Sequence, residues 1–207
     1  ASRPLWPLLL VLHGAAQGGG DPSRLLSEVG AGLPAHRLRG GPPPTPSSTL
    51  SLPEGAMDVP AALAERFVVV SPHASGPWRP SEVAQLADSL ARRADLRIDV
   101  QRRCLAGVDS GGVGALAAAS TGRFAAVVSI SASSPLPASV PPRVPVFLVH
   151  GANDLVNPVE GTDSLYEQLV RTRGADSAFE QGGEKGPGGA GGRPPGAAAA
   201  MALLDHG

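Results

Sequence analysis

The chain has 207 residues, which suits one domain built around a single core. Its 17 Lys and Arg against 18 Asp and Glu leave a formal charge of −1, and aromatic residues make up only 3%. That balance excludes a basic field for nucleic acid, a stacking platform for bases and a polybasic membrane segment.

Leu5 to Leu12 is a continuous apolar run ended by His13-Gly14 and reads as a buried strand. It is too short to span a membrane and carries neither a cationic leader nor a cleavage site, so no transmembrane segment is expected. Nothing in the sequence assigns a compartment. Gly18-Gly19-Gly20 opens a loop, and Asp21 with Pro22 caps a short helix running to about Val29. Residues 41–60 are rich in proline and read as a surface crossing, with one or two helical turns at Ala61 to Arg66. Phe67 to Val70 is a second buried strand. The loop His73 to Pro80 carries Trp78, and a helix follows from Ser81 with Val83, Leu86 and Leu90 on its apolar face.

Cys104 to Val108 is the third strand, with an Ala/Leu-rich helix from about Val113. Cys104 is the single cysteine, so no internal disulfide and no Cys-based zinc site is expected, and the thiol reads as core. Ala125 to Ile130 and Val144 to Val149 are the fourth and fifth strands, separated by a Ser/Pro loop. Val159 to Arg173 reads as a helix. Strands alternating with helices predict a mainly parallel α/β sheet flanked by helices over residues 1–178. Residues 179–207 read as a Gly/Pro-rich tail with a short terminal helix at Ala197 to Leu204 and no last strand.

The candidate chemistry sits where strands end, the usual place for ligands in such sheets. Strand, glycine-flanked turn and helix around Gly107-Val108-Asp109-Ser110-Gly111-Gly112 form the pattern of a nucleophile elbow. Centring G-x-S-x-G on Asp109 satisfies both glycines, whereas centring on Ser110 satisfies only the downstream one. Spacing therefore puts Asp109 at the tip. Ser110 could attack a carbonyl with help from a base, and Asp109 could attack carbon directly. His13-Gly14-Ala15-Ala16 could supply a backbone donor for an oxyanion, or His13 could simply tether its loop. Asp154, after His150, could orient a histidine or cap a turn. The only histidine after Asp154 is His206, the penultimate residue. His36 and His73 precede the elbow, and His73 with Trp78 reads as loop wall. The motifs call for no cofactor and no metal.

Leu8-Leu-Leu-Val-Leu-His-Gly14, Gly41-Pro-Pro43, Phe67-Val-Val-Val-Ser-Pro72 with Trp78, Ala106 to Gly114, Phe124 to Val128 and Val146-Phe-Leu-Val-His-Gly-Ala-Asn-Asp154 occur in that order. In this set the chain resembles the α/β-hydrolase superfamily. It is most similar to lidless esterases of the phospholipase/carboxylesterase, predicted-peptidase and poly(3-hydroxybutyrate)-depolymerase type. The resemblance covers about residues 5–173. It implies an α/β-hydrolase fold without its first strands, and cleavage of a carboxylic ester or thioester of a small substrate. It also implies oxyanion donors at Ala15 or Ala16 and Ser110, and Asp154 as the acid. Two positions depart from the pattern. Asp109 stands where the family has its serine, and the family's Gly-His after the acid is replaced by Glu184 to Gly189, which holds no histidine. Three readings therefore stay open: an ester hydrolase, a catalytically inactive scaffold binding a protein partner, and an Asp-nucleophile hydrolase.

Overall fold

The computed structural model describes residues 4–19, 66–132, 137, 140–141, 143–173, 178–179 and 199–204. The helix expected from Asp21, His36, the proline-rich crossing, most of Ala61 to Arg66, the tail at 180–198 and His206 lie outside them.

Among the described residues seven strands form one parallel sheet. They are β1 (Trp6–Leu12), β2 (Val68–Val70), β3 (Ile98–Val108), β4 (Ala126–Ile130), β5 (Val146–Gly151), β6 (Ala178–Phe179) and β7 (Ala199–Leu204), in the order β2-β1-β3-β4-β5-β7-β6. Among the described residues three α-helices accompany them: α1 (Pro80–Ala91), α2 (Ser110–Ala119) and α3 (Glu160–Arg173). Parallel pairing with helices packed on the sheet lets the central strands read as apolar runs, one row of side chains fully buried while Phe147 and Val108 stay exposed. Leu8, Leu10, Leu12, Leu105, Leu116 and Leu148 are all buried to 1% exposure or less. Each such side chain contributes about 1.5–3 kcal/mol through burial. Helix α1 packs on α2 and β3, and α3 packs on β5 and β7.

Several boundaries differ from the sequence reading, each for a physical reason. The stretch expected as a terminal helix is strand β7, paired with β5 from Val146↔Ala199 to Gly151↔Leu204. A last strand is therefore present. Alanine's helix propensity misleads there, because a short apolar run does not distinguish a buried strand from a buried helix. Strand β3 begins at Ile98, six residues before Cys104; its polar first half, Asp99 to Arg103, conceals it. Arg103 is nonetheless buried, with its guanidinium 2.5 Å from Asp88 of α1 and Nε donating to Val100 O. Helix α1 starts at Pro80, whose missing N–H costs nothing in a first turn. Helix α2 starts at Ser110, directly after the elbow residue. Cys104 lies in β3, where burial raises its thiol pKa.

Candidate active site

The elbow is built by close approach. A Cβ on Gly107 would lie 2.1 Å from Gly111 O, and one on Gly111 would lie 2.2 Å from Leu12 O and 2.5 Å from His13 O. Glycine at both places lets β3 turn into α2 while α2 presses against the end of β1. Between them Asp109 adopts φ 53°, ψ −123°, a conformation that costs a non-glycine residue about 1–3 kcal/mol. Its backbone is held on both sides. Asp109 N–H donates to Ile130 O of β4 at 3.0 Å, and its carbonyl accepts from the N–H groups of Gly112 and Val113 in the first turn of α2.

The held backbone aims the carboxylate at the loop after β1. Asp109 Oδ2 accepts from Ala15 N–H at 2.9 Å, and Oδ1 accepts from Asn157 Nδ2 at 3.1 Å. The resemblance implies Ala15 or Ala16, with Ser110, as oxyanion donors; of these, Ala15 N–H is bound to the elbow residue's own carboxylate. Gly14 is the N-cap of the short 3-10 turn Ala15–Gln17, which carries Ala15 and Ala16. No cationic side chain pairs with Asp109 among the described residues.

His13 is anchored rather than available. Its Nε2 accepts from Ala74 N–H at 3.0 Å, which assigns the proton to Nδ1, and Nδ1 donates to Gly14 O at 2.8 Å. The ring is buried between His73, with centroids 5.4 Å apart, and Trp78, at 4.8 Å. Trp78 Nε1 donates to His13 O at 2.9 Å, and Gly114 of α2 makes room for its side chain: a Cβ there would lie 2.5 Å from Trp78 Cβ. These contacts tie the loop after β1 to the loop before α1. Between the two loops lies an open cleft of about 290 Å³ lined by His13, Gly14, Ala15, Trp78 and Ser110 together with Ser75 and Pro77. Among the described residues no histidine is hydrogen-bonded to Ser110 Oγ.

Asp154 is engaged in its own loop. Its Oδ1 accepts from the N–H groups of Val156 and Asn157, both at 2.9 Å. The Asn157 and Val156 N–H groups, then the Ser131 hydroxyl, hold its pKa below the usual carboxylate value. His150 is fully buried; its Nε2 donates to Asn157 O and its Nδ1 accepts from Thr162 Oγ1, each at 2.7 Å. Asp154 Oδ2 is 3.7 Å from that Nε2, beyond hydrogen-bond reach. Asn157 is the residue the sequence reading missed. Its side-chain amide spans Asp109 Oδ1 and Ser131 O, each at 3.1 Å, and its backbone serves both Asp154 and His150. The Asn-Pro pair looked like ordinary turn chemistry. Its position three residues past the strand-end carboxylate Asp154 was the available signal.

The sequence predictions are thus gathered unevenly. Ser110, His13, Gly14, Ala15 and Trp78 line one cleft, Asp109 is bonded to its Ala15, and Asn157 links Asp154 to Asp109. His206 lies outside the described residues. Among those residues no three His, Cys, Asp or Glu side chains converge as metal ligands, and no helix is long and apolar enough to cross a membrane.

No family model matches the sequence, and no curated protein sequence matches it. Solved structures do. The chain is similar to a thermostable esterase at 17% identity and TM-score 0.59, over 98% of this chain and 47% of that one. It is similar to a sugar hydrolase (YeeB) from Lactococcus lactis at 12% identity and TM-score 0.57, over 100% of this chain and 78% of that one. It is also similar to a ferulic acid esterase at 15% identity and TM-score 0.55, over 98% of this chain and 78% of that one. The chain spans about half the length of the thermostable esterase. At these identities the likeness concerns architecture, and together with the parallel sheet and its elbow it shows that the chain has an α/β-hydrolase fold.

Proposed function

We propose that this chain is an esterase-type α/β-hydrolase-fold protein whose acyl-transfer centre is silent, and that it serves as a binding subunit. The observation that carries this reading is the 2.9 Å hydrogen bond from Ala15 N–H to Asp109 Oδ2. Ester cleavage by a serine needs backbone donors for the oxyanion that develops on the carbonyl, and Ala15 N–H is one of those the esterase resemblance offers, beside Ala16 and Ser110. Here a carboxylate already accepts from Ala15 N–H. A second negative charge forming about 4 Å away costs about 4 kcal/mol at an effective dielectric of about 20, or about a thousandfold in rate. A serine also needs a base. Among the described residues, both ring nitrogens of His13 and of His150 are engaged, and Asp154 Oδ1 accepts from two N–H groups of its own turn; the candidate base His206 lies outside those residues.

Hydrolysis of a small carboxylic ester through the elbow is the second reading, favoured by Ser110 lining the same cleft as Ala15 and Trp78. Turnover of short p-nitrophenyl esters by the folded chain separates the two. The silent reading expects no turnover above buffer that depends on Ser110 or Asp109. Turnover abolished by Ser110→Ala, or by Asp109→Ala, would replace it with the active one.

A further inference from the structure

A cleft built to hold a carbonyl presents hydrogen-bond donors. This one presents the reverse. The Ala15 N–H is taken up by Asp109, so a carboxylate stands where a donor pair would be expected. That carboxylate receives one neutral donor on each oxygen, from Ala15 N–H and from Asn157 Nδ2. Each carboxylate oxygen accepts more than one hydrogen bond, so acceptor capacity remains on both. No Lys, Arg or His pairs with Asp109 among the described residues, whereas Asp88, Asp95 and Asp99 each have an arginine. The strained backbone of Asp109 is pinned to β4 and to α2, which keeps the charge from turning away.

The cleft beside this charge has the complementary walls. Ala15, bonded to one carboxylate oxygen, and Ser110, next in sequence to Asp109, both line it, as do Trp78 and Pro77. An aromatic ring attracts a cation as well as an apolar body. We propose that the cleft binds a small organic cation, an ammonium group on a compact apolar or aromatic body, with the cationic head on Asp109 and the body against Trp78. The inference rests on the silent reading, because a carboxylate that attacks carbon would be consumed rather than kept as a counter-ion.

The test is calorimetric titration of the folded full chain with three probes of nearly one shape: benzylammonium chloride, benzyl alcohol and sodium benzoate, at about pH 8, where imidazoles are neutral. Benzylammonium should bind about tenfold more tightly than benzyl alcohol, the scale of one hydrogen bond to a charged group. Benzoate should bind most weakly. Added salt should erode the preference for the cation. Asp109→Asn and Asp109→Ser, each checked for folding by circular dichroism, should abolish the preference for benzylammonium over benzyl alcohol. Equal binding of benzylammonium and benzyl alcohol, or an unchanged preference in both folded variants, would overturn the proposal. Ester turnover is measured on the same samples. A missing preference without turnover sinks the cation proposal alone, and a missing preference with Ser110-dependent turnover sinks the silent reading as well.

Discussion

Gly111→Ala tests the construction of the elbow. The added Cβ would sit 2.2 Å from Leu12 O and 2.5 Å from His13 O, both backbone atoms at the end of β1. Strand β1 is hydrogen-bonded to β2 on one side and β3 on the other, so it has little room to retreat. Overpacking of this kind costs about 1–3 kcal/mol, and rigid neighbours place it near the upper end. Replacing glycine by alanine inside a helix returns about 0.8 kcal/mol. The net loss is about 2 kcal/mol, a substantial part of a total stability of about 5–15 kcal/mol. For a chain of this length that lowers Tm by about 4–8 °C. Thermal and urea unfolding followed by circular dichroism would measure it, with Gly76→Ala, which meets nothing within 4 Å, as the control expected to stay within about 0.5 kcal/mol of the parent. A Gly111→Ala variant as stable as the control would refute the close approach of α2 to β1.

Other predictions concern the pairs around the site. Thr162→Val removes the hydroxyl from a fully buried His150 and leaves Nδ1 without a partner; urea unfolding should show a loss of about 1–3 kcal/mol. The hydrogen bond from Arg103 holds Asp88 below its ordinary pKa. Its contribution is therefore complete above the unfolded carboxylate pKa of about 4 and is lost as the pH falls through the lower folded value. Asp88→Asn should accordingly lower the urea midpoint at neutral pH and flatten its decline on acidification; a parallel decline in both proteins would contradict the pairing. Gly114→Ala would drive a Cβ to within 2.5 Å of Trp78 Cβ, so the Trp78 side chain must shift. Intrinsic fluorescence measured in a Trp6→Phe background should change, and an unchanged spectrum would show that Trp78 does not pack there.

The fold was legible where pattern and physics coincide. The apolar runs of β1, β4 and β5 announced themselves, and the spacing Gly107-x-Asp109-x-Gly111 located the elbow because two separate close approaches demand glycine there. The strand β7 was concealed by composition: its alanines favour helix locally, and only pairing with β5 makes them a strand. The first half of β3 was concealed by its charges: Asp99 and Arg102 pair with each other along the strand, and Arg103 pairs with Asp88 of α1. The site divides in the same way. Asp109 at the tip could be read from spacing. That its carboxylate would meet Ala15 N–H, with Asn157 on its other oxygen, could not, because those contacts join residues 94 and 48 positions apart.

The most direct measurement is labelling of the folded chain with a fluorophosphonate probe, followed by mass spectrometric mapping of any adduct. With the Ala15 donor held by Asp109 and no histidine on Ser110 among the described residues, Ser110 should remain unmodified under conditions that fully label a serine esterase run in parallel. A phosphonylated Ser110, lost in Ser110→Ala, would contradict the silent centre and establish a working serine nucleophile beside the elbow.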